Sequence, residues 1–433
     1  MSGTAEPISD SLEIRPLARP VDADVTLPGS KSYTNRALIL AALADGRSAV
    51  SSALFSDDTR YMADCLRRLE IDVDEREAEA TFVVEGCGGR IPATHADLFV
   101  GNSGTTARFI TAMLALGHGT YVVDGVERMR QRPIGPLIDA LNHLGVRVES
   151  LQHDGCPPLR VSTDGLVGGD VSVDGNTSSQ YFSALLMVAP LTRDGMTIRV
   201  VGDLVSKPYI DLTSASMRAF GAEFRNDHYR SFTVDSGQSY RAADYVVEPD
   251  ASAASYFFAL AAATGGRVRV LNLGSDSAQG DVHFVDVLEK MGCDVIRSQD
   301  WIEVHGPDRL TGVDVDMNAI SDTVQTLAAI APLASSPVTI RNVGHIRHKE
   351  TDRLTAVATE LSRLNVRVDV HEDGLTVYPS SIKPAWIETY DDHRMAMSFA
   401  ILGKTMPGIV IKDPGCVSKT FPDFFERLGA ITS

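Results

Sequence analysis

Basic side chains recur near the beginnings of predicted apolar helices. Lys31, Arg36, Arg108 and Arg394 all lie in or just after the first turn of such a segment. The amino end of a helix carries unpaired N–H groups and the positive end of the helix dipole, so a cation there is unfavourable. The same end is a ready site for a small anion. The repeated cations therefore predict that these helix ends bind anionic small molecules.

Three further clusters of charge point to the same chemistry. "RMRQRPIG" contains Arg132, "IRHKETDRL" contains Lys349, Glu350 and Arg353, and "GCVSKTF" contains Lys419. Taken alone, Glu350 and Arg353 are typical of a surface pair three residues apart on a helix. Arginine binds carboxylates and phosphates through paired hydrogen bonds, whereas lysine acts as a point charge or proton donor. Together the clusters favour a site for anionic substrates.

Several common motifs are absent from the sequence. "PGSKS" lacks the first glycine of a nucleotide-binding P-loop, and "GNSG" is not the GxSxG of a serine nucleophile. The five cysteines are scattered and form no CxxC pair, which argues against a disulfide framework or a zinc ribbon. We therefore expect no metal, no cofactor and a reduced, cytoplasmic setting.

Composition excludes other classes of protein. With 40 basic and 57 acidic residues, the formal net charge is −17, which argues against a nucleic-acid surface. No apolar run approaches the roughly 20 residues that span a bilayer. The first residues lack a basic start and an apolar core, so we expect a loose tail before the first strand rather than a signal peptide. At 433 residues, two domains are expected.

One structural unit recurs six times along the chain. Each copy has a β-rich stretch, a polar turn and a nearly all-apolar helix, and an amphipathic helix and a strand follow it. Successive copies begin 69 to 74 residues apart. Such even spacing indicates a repeat architecture. The copies begin at Asp24, Ala96, Gly169, Ala243, Gly312 and Pro384.

The repeats predict an α/β fold with two domains of three units each. A helix that is apolar on every face must be buried on every side, so three such helices would pack together at the centre. Glycines are predicted to end amphipathic helices in the left-handed conformation at Gly145, Gly221, Gly292 and Gly429. If the first strand belongs with the last units, residues 28–248 are an insert, and 1–27 with 249–433 form the other domain. The active site would then lie in the cleft between the domains, although periodicity leaves that exchange open.

The ordered motifs resemble those of the enolpyruvyl transferase family, in the branch that acts on shikimate 3-phosphate. They include "LPGSKSYTNRALILAALA", "GNSGTTAR", "RMRQRPIG", "SSQYFSALLM", "HKETDRL", "DDHRMAM" and "DPGCVSKTF", and they cover almost the whole chain. The resemblance implies an inside-out α/β prism with two domains, each of three βαβαββ repeats. It also implies transfer of the enolpyruvyl group of phosphoenolpyruvate to the 5-hydroxyl of shikimate 3-phosphate, with release of phosphate.

The resemblance also implies which residues bind each substrate. For shikimate 3-phosphate they are Lys31, Ser32, Arg36, Ser178, Ser179, Gln180, Ser206, Asp322, His345 and Lys349. For phosphoenolpyruvate they are Lys31, Asn102, Gly104, Arg132, Gln180, Arg353, Arg394 and Lys419. Two anionic substrates need convergent cations, because their mutual repulsion would otherwise oppose joint binding. We expect these small molecules to be the only partners and the protein to act as a monomer.

Three residues match the family's proton-transfer groups. Asp322 would be the base for the 5-hydroxyl, and Glu350 and Lys31 would move the proton at carbon. A nearby cation can shift the pKa of such a group toward the value that proton transfer requires.

Two positions depart from the family's pattern: His345 stands where many relatives carry Asn, and Phe109 stands where relatives often have Pro. In the family the glycine at 104 leaves room for glyphosate, so we predict sensitivity.

Two alternative functions remain at this point. The sister enzyme that acts on UDP-N-acetylglucosamine usually has a reactive cysteine before its "RP" segment, whereas this chain reads "DGVERMRQRP". A catalytically silent anion-binding protein with the same fold is the other alternative. The presence of Asp322, Glu350 and Lys31 argues against it without excluding it.

Overall fold

The computed structural model describes residues 10–431 of the chain. The predicted tail over residues 1–9 lies outside them. The described residues divide into two compact units. Residues 28–249 form one, called here the inserted unit, and residues 10–27 with 250–431 form the other, called the terminal unit.

The inserted unit alternates helices with short strands. Its helices are α1 (Lys31–Leu43), α2 (Asp57–Arg68), α3 (Gly104–Leu114), α4 (Gly135–His143), α5 (Gln180–Val188) and α6 (Pro208–Ala219). Its strands are β3 (Asp45–Ser51), β4 (Val73–Arg76), β5 (Thr81–Cys87), β6 (His95–Phe99), β7 (His118–Asp124), β8 (Arg147–Ser150), β9 (Leu159–Asp164), β10 (Gly169–Asp174), β11 (Met196–Val201), β12 (Arg225–Asp227), β13 (Ser231–Val234) and β14 (Asp244–Val246).

The terminal unit has the same alternation. Its helices are α7 (Ala251–Thr264), α8 (Phe284–Lys290), α9 (Val324–Ile330), α10 (Arg353–Arg363), α11 (His393–Gly403) and α12 (Phe424–Ala430). Its strands are β1 (Ser11–Ile14), β2 (Asp22–Val25), β15 (Arg267–Leu271), β16 (Asp294–Arg297), β17 (Trp301–His305), β18 (Asp314–Asp316), β19 (Val338–Arg341), β20 (Val368–Val370), β21 (Leu375–Val377), β22 (Ala385–Ile387) and β23 (Ile409–Lys412).

Within residues 10–431 the strands form six small sheets, one for each repeat. Five have four strands in a common order: an outer strand, a central strand parallel to it, and then an antiparallel pair. These sheets are β14-β3-β5-β4, β6-β7-β9-β8, β10-β11-β13-β12, β2-β15-β17-β16 and β18-β19-β21-β20. The sixth has three strands, β1-β23-β22, so that β1 takes the place of the antiparallel pair.

The first and fourth repeats exchange strands, an arrangement that periodicity alone left open: a strand from before the inserted unit joins the fourth repeat, and a strand from its end joins the first repeat. Strand β2 pairs in parallel with β15 of the fourth repeat, and β14 pairs in parallel with β3 of the first repeat. The two ends of the inserted unit lie side by side, because the Ser30 N–H donates to the Glu248 carbonyl oxygen at 2.7 Å. The chain therefore leaves the terminal unit after β2 and returns to it at α7.

The six apolar helices lie at the centres of the two units. Helix α3 packs against α1 and α5, and α7, α9 and α11 pack against one another. All residues of α3, α9 and α11 are buried. Each unit has its own hydrophobic cluster. Burial on all faces follows from the composition of these helices, because no stripe of polar residues faces water.

Glycines end three of the amphipathic helices as predicted. Gly145, Gly221 and Gly292 have φ values of +90°, +90° and +101°, in the left-handed region that favours glycine. The prediction is wrong for Gly429, because α12 continues through that residue to Ala430.

Among residues 10–431, no helix combines the length and the apolar character needed to cross a bilayer.

Candidate active site

Aspartates cap the two helices of the terminal unit that carry site arginines in their first turns. Asp352 precedes α10 and accepts a hydrogen bond from the Thr355 N–H, at 3.1 Å. Asp392 precedes α11 and accepts from the Arg394 N–H, at 2.9 Å. Such caps satisfy exposed N–H groups and add negative charge at the positive end of the dipole. They therefore offset the cost of placing Arg353 and Arg394 in the first turns.

The Asp322 carboxylate contacts three cations. Its Oδ1 lies 2.7 Å from Lys349 Nζ and 3.1 Å from Arg353 Nη1, and its Oδ2 lies 2.8 Å from Arg394 Nη2. The four residues come from three stretches of sequence, because Lys349 and Arg353 are only four residues apart. Asp322 lies in the 3₁₀ segment Asn318–Thr323. Together with two further carboxylates they form what we call the Asp322 cluster. Its members are Asp322, Lys349, Glu350, Arg353, Asp392 and Arg394.

Arg353 is the buried centre of this cluster, with only 1% of its surface exposed. Its guanidinium donates to Glu350 Oε2 at 2.7 Å and to Asp392 Oδ2 at 2.8 Å, besides Asp322. Burial opposes the charged form, but Asp392, Glu350 and Asp322 together raise the pKa of Arg353 above its usual value. The pair Glu350–Arg353 is thus buried, and it belongs to a network rather than to the surface.

Burial has the opposite effect on two neighbouring bases. The pKa of Lys349 is lowered, chiefly by burial and also by Arg353, although Asp322 acts in the other direction. Burial, together with the charge of Lys349, lowers the pKa of His345 to about 3. His345 is therefore neutral at neutral pH and can contribute hydrogen bonds but no charge.

A further carboxyl group, Asp281, lies beside this cluster. Ser252 Oγ donates a hydrogen bond to it. Burial raises the pKa of Asp281, and the charge of Asp322 raises it further. Two neighbouring carboxyl groups in one site cannot both ionise easily, which favours the neutral form of Asp281.

In the inserted unit, Arg36 is as buried as Arg353, with 1% of its surface exposed. Its Nε donates to Thr213 Oγ1 at 2.8 Å, and its Nη1 donates to the Ser32 carbonyl at 3.0 Å. Its Nη2 donates to Ser183 Oγ and to the Tyr209 carbonyl, both at 3.2 Å. Burial lowers the pKa of Arg36 to about 10, while the neighbouring Tyr209 acts to raise it.

Two aromatic rings lie against this guanidinium. The Arg36 Cζ is 5.1 Å from the centre of the Phe109 ring and 5.9 Å from that of Tyr209. A cation over an aromatic face is stabilised by the ring quadrupole. The unusual Phe109 therefore contributes directly to how Arg36 is held.

A glycine allows two arginines to approach the start of α3. Arg132 Nη1 donates to the Asn102 carbonyl at 2.8 Å, and Arg108 Nη1 donates to the Gly104 carbonyl at 3.1 Å. A Cβ atom at Gly104 would clash with Arg132 Nη2 and would lie 2.9 Å from Arg108 Nη1. A side chain here would displace these two guanidinium groups, so glycine permits their close approach. Nearby, Gln180 Nε2 donates to Thr105 Oγ1 at 3.1 Å.

Polar turns of the inserted unit carry further site residues. Lys31 is the first residue of α1, and its Nζ lies 3.6 Å from the Asp58 carboxylate. Ser178 and Ser179 immediately precede α5, and the Gln180 N–H donates to Ser178 Oγ at 3.2 Å. Ser206 lies before α6 with a φ of +53°, a left-handed conformation that is uncommon for serine.

The sequence-predicted site residues occur in both units. Those in the inserted unit are Lys31, Ser32, Arg36, Asn102, Gly104, Arg132, Ser178, Ser179, Gln180 and Ser206. Those in the terminal unit are Asp322, His345, Lys349, Glu350, Arg353, Arg394 and Lys419. The structure brings five of the latter into direct contact, namely Asp322, Lys349, Glu350, Arg353 and Arg394.

Comparison with known protein families identifies the relationship. The family model described as EPSP synthase (3-phosphoshikimate 1-carboxyvinyltransferase) matches residues 17–428. The chain belongs to the EPSP synthase family. The predicted resemblance is therefore confirmed over nearly the whole chain.

Curated relatives carry the same description. A 3-phosphoshikimate 1-carboxyvinyltransferase of Nostoc punctiforme is 54% identical over 418 residues, which cover 96% of this chain and 98% of the relative. One from Sulfurovum sp. is 46% identical over 427 residues, covering 98% of this chain and all of the relative.

Solved structures confirm the fold class. An EPSP synthase from Acinetobacter baumannii aligns with a TM-score of 0.80 at 23% identity, over 97% of this chain and 98% of that one. The enolpyruvyl transferase NikO from Streptomyces tendae aligns with a TM-score of 0.76 at 17% identity, over 97% and 96% of the two chains. The mixed α/β, two-domain fold of enolpyruvyl transferases is thus shared by this EPSP synthase family member.

Some residues of the site could not be identified from the sequence. In the sequence, Asp392 looks like an ordinary helix cap and Asp281 like a turn residue. Tyr209 lies three residues after Ser206, and of these two only Ser206 was assigned to the site. The signal available in the sequence was the adjacent acidic pair in "YDDHR". A helix cap needs only one carboxylate, so a second one beside it suggests another role for this turn. Among the described residues, no group of three or more histidine, cysteine or acidic side chains could hold a metal ion.

Proposed function

We propose that this protein transfers the enolpyruvyl group of phosphoenolpyruvate to the 5-hydroxyl of shikimate 3-phosphate and releases phosphate. The observation that carries this proposal is the Asp322 cluster. It holds two candidate proton-transfer carboxylates, Asp322 and Glu350, against the cations that anionic substrates require. Membership of the EPSP synthase family supports the same reaction.

The carboxylates and lysines of the site would move the protons. Asp322 takes the proton of the 5-hydroxyl, and the oxygen attacks the central carbon of phosphoenolpyruvate. Glu350 and Lys31 serve the terminal carbon, which gains a proton in this addition and becomes a methyl group. The tetrahedral intermediate then loses phosphate together with one methyl proton, which restores the double bond. Positioned proton transfer of this kind contributes about 10²–10⁴-fold to a rate.

Cations in both units would bind the two substrates. Arg353, Arg394 and Lys419 of the terminal unit, together with Arg132 of the inserted unit, bind the carboxylate and phosphate of phosphoenolpyruvate. Arginine suits this task because its planar guanidinium pairs with either group through two hydrogen bonds. Cationic donors that are already oriented also stabilise charge that develops in the transition state.

Polar residues would bind shikimate 3-phosphate. The serines before α5 and α6 supply hydroxyl and backbone N–H groups for its phosphate, since a helix amino end favours an anion. Lys31 contacts both substrates. Because His345 is neutral, it would hydrogen-bond this substrate much as an asparagine would. The remaining residues of this set are Ser32, Arg36, Gln180, Asp322 and Lys349.

Phosphate release tests the proposal. The protein is incubated with phosphoenolpyruvate and shikimate 3-phosphate, and in parallel with phosphoenolpyruvate and UDP-N-acetylglucosamine. Turnover with the first pair alone is expected. Turnover with only the UDP-sugar would assign the chain to the sister reaction, and no release with either acceptor would indicate a silent anion-binding protein.

Glyphosate sensitivity follows from the same site. Gly104 has no side chain at the point where the Arg132 and Arg108 guanidinium groups approach α3, and Phe109 is buried against Arg36. We expect glyphosate to inhibit in competition with phosphoenolpyruvate. An inhibition titration at several phosphoenolpyruvate concentrations measures this, and full activity at saturating glyphosate would contradict it.

We place the enzyme in the cytoplasm, acting as a monomer. The five cysteines are free thiols in the structure, which suits a reducing compartment. Light scattering of the purified protein measures the oligomeric state, and a dimer mass would contradict the monomer.

A further inference from the structure

A fully buried carboxylate, Glu360, lies outside the substrate set but on the same helix as Arg353. It lies two turns after Arg353 on α10, so both side chains project from nearly the same face. Its Oε1 accepts a hydrogen bond from the Tyr390 hydroxyl at 2.5 Å. Its Oε2 accepts from the Glu388 N–H at 3.1 Å and from Arg363 Nη1 at 3.2 Å. Glu360 thus holds the segment that leads into α11.

That segment has an unusual backbone. Tyr390 and Asp391 are consecutive non-glycine residues with φ values of +56° and +53°. Side-chain-bearing residues rarely adopt this conformation, and it persists only where the surroundings impose it. The Tyr390 side chain is 38% exposed, so burial of its ring does not fully account for the conformation. The hydroxyl bond to Glu360 is the specific contact that holds Tyr390.

The other end of the segment is held by the same helix. Asp392 accepts from Arg353 Nε at 2.8 Å and also caps α11. Two residues later, Arg394 reaches Asp322. Helix α10 therefore holds the left-handed turn at both ends. Glu360 bonds to Tyr390 at one end, and Arg353 bonds to Asp392 at the other.

We propose that Tyr390 and Glu360 are positioning residues for the transfer reaction. Their hydrogen bond holds the left-handed turn in the one conformation that places Asp392 on Arg353 and Arg394 on Asp322. Loss of the bond lets the turn relax toward a commoner backbone conformation and displaces the start of α11. Arg394 moves with it, whereas the inserted unit is unaffected. This inference rests on the proposed function, because its effect is on phosphoenolpyruvate binding.

The Tyr390 hydroxyl keeps its proton, and so remains a hydrogen-bond donor, at neutral pH. Burial of the hydroxyl, together with its bond to the Glu360 carboxylate, raises the pKa of Tyr390 to about 12. Tyr390 is therefore protonated at neutral pH, and its bond to the carboxylate is of the stronger, charge-assisted kind.

Tyr390→Phe tests the proposal, since it removes the hydroxyl and keeps the ring. A hydrogen bond to a charged group contributes enough that its loss should lower kcat/KM for phosphoenolpyruvate about tenfold. The dissociation constant of shikimate 3-phosphate alone should stay the same. The matched control is Tyr378→Phe, because Tyr378 also donates to a carboxylate, that of Asp369, at 2.7 Å in the same unit. The control should match the wild-type protein in both measurements.

A second variant separates positioning from simple stability. Glu360→Gln keeps only one acceptor oxygen for the Tyr390 hydroxyl, the Glu388 N–H and Arg363, so kcat/KM for phosphoenolpyruvate should fall in this variant too, and the double variant with Tyr390→Phe should lose less than the product of the two single losses. A lowered melting temperature in Tyr390→Phe with unchanged kcat/KM would overturn the proposal, as would equal losses in Tyr390→Phe and Tyr378→Phe. Failure of the wild-type protein to turn over would instead refute the proposed function, which distinguishes the two.

Discussion

Arg36 and Arg353 are equally buried, yet the two units surround them differently. In the inserted unit, Arg36 donates only to hydroxyl and carbonyl oxygens, and among the described residues no carboxylate pairs with it. In the terminal unit, Arg353 contacts the carboxylates of Asp322, Glu350 and Asp392. The pKa values respond in opposite directions: burial lowers that of Arg36 to about 10, whereas the three acids raise that of Arg353.

The difference indicates a division of labour. A buried cation without a carboxylate is stabilised when an anionic ligand approaches, so Arg36 is suited to substrate binding. A cation that is already paired contributes less to binding, but it orients its acids for proton transfer. Arg108 and Arg132 of the same unit also donate to backbone carbonyl oxygens, those of Pro133 and Asn102. Lys31 of the inserted unit differs from Arg36, because its Nζ lies 3.6 Å from the Asp58 carboxylate.

The largest expected effect is on the acids of the terminal unit. Asp322→Asn keeps the shape of the side chain but removes the base, so kcat should fall about 10²–10⁴-fold. Glu350→Gln should lose turnover in the same way. Both variants should retain the circular dichroism spectrum of the wild-type protein. Steady-state kinetics measure the effect, and near-normal rates would refute the assignments.

Replacement of each buried arginine by methionine tests the comparison itself. Arg353→Met removes the buried cation that three acids share, so it should destabilise its unit by about 3–5 kcal/mol. Arg36→Met removes a cation that has no acidic partner, so its cost is limited to lost hydrogen bonds with hydroxyl and carbonyl oxygens, about 1–2 kcal/mol. Calorimetric unfolding of both variants measures the difference. Equal destabilisation would contradict the comparison.

A smaller effect is expected for Gly104→Ala. The added methyl group would displace the Arg132 guanidinium, so the KM for phosphoenolpyruvate should rise about tenfold, as for the loss of one charge-assisted bond. Gly135→Ala is the control, because a Cβ atom there has nothing within 4 Å. An unchanged KM in Gly104→Ala would show that Arg132 does not bind this substrate.

The last effect concerns acid stability. The pKa of His345 is about 3 in the folded protein, against an ordinary value of 6.5. Between these pH values the unfolded chain takes up a proton that the folded protein does not, so stability falls as pH is lowered from 6.5 toward 3. His345→Asn should weaken this dependence, and the exposed His348→Asn should not. Melting temperatures from pH 7 to 4 measure it, and parallel curves for wild type and His345→Asn would count against it.

Much of the fold could be predicted because its strongest signals are periodic. The all-apolar helices α1, α3, α5, α7, α9 and α11 recur with their turns at even spacing, and their burial follows from composition. The exchange of β2 and β14 could not be predicted from periodicity, because both are short strands before equivalent helices. Their pairing depends on where the chain crosses, which local sequence does not determine. Gly429 failed as a helix end for a similar reason, since glycine permits but does not require the left-handed conformation.

The cations of the site were easier to find than its acids. Arg36, Arg108 and Arg394 stood out because the first turns of a helix do not favour them. Asp392 did not stand out, because aspartate there is what a cap prefers. Glu360 resembled a solvent-facing residue of an amphipathic helix, and only the structure shows it to be buried. Its partner Tyr390 lies 30 residues away, and no local pattern joins the two.

One measurement tests the central claim most directly. The wild-type protein is incubated with phosphoenolpyruvate and shikimate 3-phosphate in D₂O, and the products are followed by proton and phosphorus NMR. Transfer through a methyl-bearing intermediate predicts one enolpyruvyl ether for each phosphate released, with deuterium in its vinyl group. Phosphate release with pyruvate and no ether would show hydrolysis instead, and it would contradict enolpyruvyl transfer by this protein.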